Sequence, residues 1–486
     1  MDDVRMAWLA AALVGGLSAV TACAVDVAGG RAAAVPPPFI QTALSLDLTV
    51  DYDRPAIVGT ATLTVENVGK APVREVPLLL NRLMSVGDVR DGAGTRLTCR
   101  SAVATFEDDP FRQVTSAVVT LPSAIAPGAR ATVRVRYAGP LVGYVETGSL
   151  YIRDRIDPEF TILRSDALAF PIVGTTSVAA DRAMRRDADF DFDARIVVPS
   201  NELVATGGTL VGTQATGART AYRFAGKGVP FLNIAIAPYR LVEDSSIRVY
   251  AFPADAARGR AVLDAGRQAM RLLEKWYGPL PAATHVTVIE IPEGFGSQAS
   301  ATAGIILDAS AFKDTRQLPQ LYHELSHLWN AADLDAPSPR WNEGLAMYLQ
   351  FRLARELDGF AGTDAALERT RSRLCEPAAR VRVERTPFRR YGADGETDNA
   401  YGVGLLMFSA LERVIGADAL DARVRAYVQA HLARGGTTAE FLAALAEPPL
   451  TATVTPLLHD WFETSDWVAP VCSATSFDAA LARWRR

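Results

Sequence analysis

The pattern of hydrophobic and polar positions changes once along the chain, near residue 246. Over residues 39–245, apolar side chains alternate with polar ones in short runs, for example at 43–50 and 131–135. Alternation with a period of two is typical of half-buried β-strands. Turn sequences such as Pro127-Gly128 separate the runs. The pattern therefore predicts an all-β N-terminal domain over residues 39–245, resembling a β-sandwich.

Residues 246–351 show both the three-and-four spacing of helices and the apolar runs of strands. Apolar residues at three-and-four spacing predict a helix over 256–277, which ends at Gly278-Pro279. The runs at 285–291 and 304–307 predict two strands after it. A second, mixed α/β domain is expected here.

From residue 352 to residue 486 the pattern is helical. Apolar residues recur at three-and-four spacing over 404–415, 419–432 and 438–446. The chain as a whole is thus predicted to be multidomain and α+β, with a helical C-terminal region.

The N-terminal segment is typical of a secretory signal peptide. Residues 6–25 carry no charge, Arg5 precedes them, and their centre is rich in Ala, Leu and Gly. The segment ends in Val20-Thr21-Ala22-Cys23, which resembles a bacterial lipobox, in which the cysteine becomes the lipidated first residue. We predict a signal peptide over 1–23, lipidation at Cys23 and attachment to a membrane through that lipid.

Two alternatives remain for this leader: an ordinary signal peptide cut near Ala22 or Ala24, or an uncleaved membrane anchor. All three place the protein outside the cytoplasm, in the cell envelope or beyond it. The Pro-rich segment 24–38 is predicted to be a linker.

Composition limits the classes of partner that are expected and bears on whether the cysteines form disulfides. A net charge of −5 and the lack of a basic cluster argue against nucleic acid as a partner. After the leader, three cysteines remain, and an exported location permits disulfides. We predict a Cys375–Cys472 pair because both lie in the helical region, which leaves Cys99 unpaired. The alternative is three buried thiols.

The stretch of residues 321–330 contains a His-Glu-x-x-His motif, His323-Glu324-Leu325-Ser326-His327. Histidines four apart lie on one face of a helix, so both imidazoles can bind one metal ion. Zinc is the usual occupant, with three protein ligands and an open position for water. Glu324 is then placed to act as a general base.

A third ligand is available downstream. Glu343 lies in Trp341-Asn342-Glu343-Gly344, which is predicted to begin a second helix. The competing interpretation is that the short motif occurs by chance and that its histidines are core residues. The chain has only five histidines, two of them in the motif, and this favours one zinc ion per chain.

These motifs resemble those of the zinc aminopeptidases typified by aminopeptidase N, which belong to the gluzincins. The resemblance spans most of the chain after the leader. It includes Tyr277-Gly278-Pro279, the His-Glu-x-x-His motif, Asn342-Glu343-Gly344 and Tyr401-Gly402-Val403-Gly404. It implies a β N-terminal domain, a thermolysin-like catalytic domain and a helical C-terminal domain that completes the active site.

The resemblance also implies roles for individual residues. His323, His327 and Glu343 match the family's metal ligands, and Glu324 matches its general base. Tyr401 matches the tyrosine that hydrogen-bonds the oxyanion of the tetrahedral intermediate, a role that suits a phenol hydroxyl.

The chain departs from the family in three places. Residues 328–342, between His327 and Glu343, form a shorter spacing than is usual in the family. Val403 replaces a lysine. The family binds the substrate amine with a Gly-x-Met-Glu-Asn loop, and the stretch that corresponds to it contains Gly296, Ser297 and Gln298 as candidate substrate-binding residues.

Gln298 stands where the family has the amine-binding glutamate, so an ammonium would lose a charge-assisted hydrogen bond. Asp166 or Glu159 could supply a carboxylate instead. The sequence thus predicts an exported zinc metallopeptidase that acts on peptides, most simply an aminopeptidase. The alternatives are an endopeptidase or narrow-specificity peptidase, and a non-catalytic binding protein on a peptidase fold. The oligomeric state is not indicated.

Overall fold

The computed structural model describes residues 24–25, 38–110, 112–141, 155–177, 180, 189–280, 285–294, 297–300, 302–335 and 337–485. The predicted leader with Cys23, most of the predicted linker, and Gly296 lie outside these ranges. Among the helices of the described part, none has the length and hydrophobicity to cross a membrane.

Three β-sheets form the N-terminal part. One has seven strands in the order β13-β14-β11-β2-β3-β8-β5, the second has the order β1-β6-β7-β4-β10, and a short third has the order β12-β15-β9. The strands are β1 Ala24–Val25, β2 Phe39–Asp51, β3 Ala56–Asn67, β4 Val73–Asn81, β5 Ser85–Asp91, β6 Thr98–Thr105, β7 Gln113–Ile125, β8 Arg130–Gly139, β9 Thr161–Arg164, β10 Ile172–Val173, β11 Phe190–Pro199, β12 Leu203–Ala205, β13 Thr209–Thr216, β14 Arg219–Val229 and β15 Asn233–Ala237.

The alternation in the sequence matches the burial of these strands. In β2, Leu44, Leu46, Leu48 and Val50 are at most 2% exposed, whereas the residues between them are wholly or partly exposed. One face of the seven-stranded sheet therefore packs in the core and the other meets solvent. The predicted all-β N-terminal region is confirmed.

A fourth, mixed sheet has the order β16-β17-β18-β20-β19. Its members are β16 Arg240–Glu243, β17 Ile247–Ala251, β18 Val286–Ile291, β19 Gln298–Ser300 and β20 Gly304–Asp308. β17, β18 and β20 run parallel, while β16 and β19 are antiparallel edge strands. All six residues of β18 are buried, as expected for a strand covered on both faces. This sheet begins at residue 240, ahead of the predicted start of the second domain at 246.

Helices cover this sheet and form the rest of the chain. They are α1 Ala256–Tyr277, α2 Ser310–Lys313, α3 Pro319–Ser326, α4 Trp341–Asp358, α5 Thr363–Leu374, α6 Pro377–Arg385, α7 Tyr391–Asp394, α8 Asn399–Ile415, α9 Ala417–His431, α10 Thr438–Leu445, α11 Thr451–Leu458, α12 Val468–Ser473 and α13 Phe477–Ala480. Short 3₁₀ turns lie at Thr315–Gln317, His327–Trp329, Phe388–Arg390 and Leu481–Arg483, and a π-helical turn at His459–Glu463. The predicted multidomain α+β class is confirmed.

Cysteine pairing is partly as predicted. Cys375 and Cys472 form a disulfide with their Cα atoms 5.4 Å apart, which links the end of α5 to α12. The expectation that Cys99 is unpaired is wrong, because Cys99 is also disulfide-bonded. Cys375 and Cys472 pair with each other, so the partner of Cys99 lies outside the residues that the structure describes.

Helices α4 and α8 touch through two glycines. A Cβ atom at Gly344 would lie 2.6 Å from the Cα of Gly404, and a Cβ at Gly404 would overlap the Cα of Gly344. The backbones can approach this closely only because neither residue has a side chain. This crossing determines where the two helices stand relative to each other.

We expect Gly404→Ala to lower the free energy of unfolding by about 1–3 kcal/mol, because the added methyl pushes α8 away from α4. Urea denaturation would measure it. Gly402→Ala is the matched control, since it lies in the same helix but a Cβ there faces side-chain ends, those of Arg373, Thr370 and Leu374, and no backbone of another helix. It gains the same helix propensity, about 1 kcal/mol, without the overlap. Equal stability of the two variants would contradict the proposed role of the crossing.

Candidate active site

The His-Glu-x-x-His motif lies on α3 and on the 3₁₀ turn that follows it. Pro319 occupies the first turn of α3, where its missing N–H costs no hydrogen bond. Leu321, Leu325 and Leu328 point into the core, which leaves the histidines on the opposite face. The α-helix ends at Ser326, and His327 opens the tighter turn His327–Trp329.

Three predicted ligands converge at one point. Oε2 of Glu343 lies 3.4 Å from Nε2 of His323 and 3.4 Å from Nε2 of His327, and the two Nε2 atoms are 3.3 Å apart. Candidate ligand atoms of the three residues all lie within 4.8 Å of one another. Two imidazole nitrogens and one carboxylate oxygen on one side suit a tetrahedral zinc ion with an open fourth position. The donor set therefore fits the metal.

A neighbouring amide orients one of the ligands. The side-chain nitrogen of Asn330 lies 2.8 Å from Nδ1 of His327. In this orientation the amide N–H donates to Nδ1. Metal binding through Nε2 requires the proton on Nδ1, which the amide accepts once it is turned so that its oxygen faces the ring. In that turned orientation Asn330 would favour the tautomer of His327 that can bind a metal.

The two carboxyl groups of the site have opposite pKa shifts. Burial raises the pKa of Glu324 to about 7, the charge of Glu343 adds to this, and His323 acts against it. Burial also acts to raise the pKa of Glu343, but hydrogen bonds from His323 and His327 and the charge of Arg340 outweigh it and hold that pKa well below its usual range. Glu343 is therefore a carboxylate near neutral pH, whereas Glu324 can both take up and release a proton there.

Tyr401 lies beside these residues. It is carried by α8, one turn before Gly404, and its ring centroid is 6.0 Å from that of His323, with the planes nearly parallel. It lines the same cleft as the three candidate ligands and Glu324.

The cleft in front of the site has a volume of about 1030 Å³. One wall comes from the β14 hairpin of the N-terminal part, through Gly226 and Lys227, and another from β19. Ser297 and Gln298, two predicted substrate-binding residues, line it as well. The Oε1 atom of Gln298 accepts a hydrogen bond of 3.2 Å from Nδ2 of Asn233.

Carboxylates are few in the described lining of this cleft. Apart from Glu324 and Glu343, only Asp333 contributes one. Asp166 and Glu159, the alternative amine partners, are not among the described lining residues. The cationic lining residues are Lys227, Arg248 and Arg340.

Sequence reasoning missed three polar residues of the site: Asn330, Arg340 and Asn233. Asn330 lies three residues after His327, and helical spacing could have identified it. Arg340 lies three residues before Glu343, also one turn away. Asn233 is 65 residues from its partner Gln298, and no local signal indicates that contact.

Comparison with known proteins gives matches of structure only. No protein-family model and no curated protein matches the chain. The M1 zinc metallopeptidase of Deinococcus radiodurans matches with a TM-score of 0.59 and 20% identity, over 87% of this chain and 94% of that one. A mutant of that enzyme bound to a Tyr-Ser-Ala substrate matches with a TM-score of 0.61, with the same identity and coverage.

A two-domain M1 zinc metallopeptidase mutant bound to L-arginine gives a TM-score of 0.57 at 19% identity, over 87% of this chain and 94% of that one. The chain therefore has the fold of the M1 zinc metallopeptidases, the aminopeptidase N family that its motifs resemble.

Proposed function

We propose that the protein is a zinc metallopeptidase that hydrolyses peptide bonds, most simply as an aminopeptidase. The observation that carries the proposal is the convergence of His323, His327 and Glu343, beside Glu324, in a wide cleft. The fold supports it, and so does the similar metallopeptidase that binds a Tyr-Ser-Ala substrate.

In this mechanism His323, His327 and Glu343 would hold the ion. A bound zinc ion would polarise the scissile carbonyl and acidify the attacking water. Glu324 takes the proton of that water and passes it to the leaving amine. The Tyr401 hydroxyl donates a hydrogen bond to the carbonyl oxygen as that oxygen gains charge. The cleft walls hold the peptide across these groups.

Glu324→Gln should retain zinc and lose peptidase activity by about 100-fold or more, because the amide cannot accept the proton. Zinc content and peptide cleavage would be measured on the same sample. Glu343→Ala is the comparison variant, and it should lose zinc as well as activity. A Glu324→Gln protein without zinc would mean that the ligand set is wrong. Zinc-loaded wild type that cleaves no peptide would favour the non-catalytic binding protein.

The second candidate is an endopeptidase or a peptidase of narrow specificity. Gln298 favours it, because this neutral side chain occupies the predicted amine site and the described cleft lining has few carboxylates. A free substrate ammonium would gain no ion pair from Gln298. Cleavage of matched peptides with free and acetylated N-termini separates the two candidates.

Gln298→Glu should raise kcat/KM about tenfold for peptides with a free amine and leave acetylated peptides unchanged, because only the ammonium gains a charged partner. Gln317→Glu, on an exposed turn, controls for the added negative charge. An equal response of both peptide sets would place the amine site elsewhere. Internal cleavage of both sets by the wild type would identify an endopeptidase.

We also propose that residues 1–23 direct export from the cytoplasm, and that any cleavage falls before Cys23. Lipidation of Cys23 was predicted from the lipobox, but a sulfur that carries a lipid cannot also form a disulfide. Cys99 is disulfide-bonded, and β1 pairs Ala24 with Arg100, the residue after Cys99. These two facts favour a bond between Cys23 and Cys99 over the lipid.

Peptide mapping of protein purified from an exporting host, without reductant, should therefore yield a Cys23–Cys99 linked peptide. The protein should also be extracted without detergent. A lipidated peptide that begins at Cys23 would restore the lipoprotein prediction and require a different partner for Cys99.

A further inference from the structure

Arg340 has an unusual backbone conformation. Its φ of 63° and ψ of 36° lie in the left-handed region, and it directly precedes the first residue of α4. Residues other than glycine rarely adopt this conformation, and among the described non-glycine residues only Arg340 and Leu168 have positive φ. Such outliers persist where the surrounding structure holds them, often beside functional sites.

Hydrogen bonds hold the connection between His327 and Glu343, in which Arg340 lies. Ser338 Oγ accepts the N–H of Arg340 at 3.0 Å and donates to Asp333 Oδ2 at 2.5 Å. Asp335 accepts the N–H of Thr438 at 3.0 Å. Asp333 also forms a β-bridge with Gly436. These contacts tie the loop before α4 to residues 436–438, at the start of α10.

The side chain of Arg340 reaches the candidate metal ligand. Its Nη2 bonds Oε1 of Glu343, while Oε2 of the same carboxylate faces Nε2 of both histidines at 3.4 Å. The two oxygens of Glu343 therefore have different partners. Arg340 is also part of the cleft wall.

We propose that Arg340 is a positioning residue for the metal centre: it holds Oε1 of Glu343 away from the ion, so that only Oε2 binds. This inference rests on the proposed zinc site. One-oxygen binding leaves room around the ion for a water and for the carbonyl oxygen of the substrate. The guanidinium is suited to this because it holds a carboxylate oxygen with directed N–H groups.

The test compares zinc affinity and the visible absorption of the Co(II)-substituted protein in four samples: wild type, Arg340→Gly, Arg340→Lys and Arg248→Met. Arg340→Gly removes the side chain and suits the left-handed backbone, so the protein should fold with no lower Tm. Arg340→Lys keeps the charge but not the planar donors. Arg248→Met is the matched control, because Arg248 lines the same cleft but bonds Glu243 rather than a metal ligand.

We expect Arg340→Gly to bind zinc on the order of 10- to 100-fold more weakly, as outer partners of metal ligands do when removed. Its Co(II) bands should weaken, because a second Glu343 oxygen raises the coordination number and highly coordinated Co(II) absorbs less. Arg340→Lys should fall between Arg340→Gly and the wild type. Arg248→Met should match the wild type in both measurements.

Unchanged zinc affinity and unchanged Co(II) bands in Arg340→Gly would overturn the positioning role. An equal loss in Arg248→Met would overturn it too, since the effect would then come from the charge of the cleft. A wild type that binds neither metal would instead show that the zinc site itself is wrong. The wild type therefore tests the zinc site, and the variants test the positioning role of Arg340.

Discussion

The contact between Gly344 and Gly404 is the constraint on which the site depends. It lets the backbones of α4 and α8 cross without intervening side chains. Glu343 directly precedes one of these glycines, and Tyr401 lies one turn before the other. A single close approach therefore places a candidate ligand and a candidate oxyanion donor relative to the histidines of α3. Because the protein interior is closely packed, a shift of either helix would move both groups together.

The site also depends on how its charges are partnered. Glu324 and Glu343 are both buried, at 6% and 8% exposure, yet their pKa values move in opposite directions. The difference comes from neighbours: Glu343 has two imidazoles and a guanidinium, whereas burial dominates at Glu324. One buried pair of acids thus supplies an ionised candidate ligand and a group that can exchange a proton near neutrality.

The N-terminal sheets contribute directly to the cleft. At Gly207 the backbone docks so closely on Ala303 and Gly304 that any Cβ atom would collide with them. The Asn233–Gln298 hydrogen bond and the bond from Thr302 to the carbonyl of Gly228 join the same two parts. The β region is therefore a wall of the candidate substrate site and constrains β19, the strand that carries Gln298.

The local spacing of residues in the sequence determined many of the helices and strands of this protein. Alternation along β2 and three-and-four spacing along α1 and α8 predicted the elements, because burial of one face imposes these periods. The spacing of His323 and His327 predicted their shared face for the same reason. The tertiary structure alone decided that Arg340 takes the left-handed turn and holds Glu343, that Asn233 bonds Gln298, and that Cys99 is paired. These features depend on chain packing and on which distant segments meet. The local spacing of residues along the sequence indicates neither.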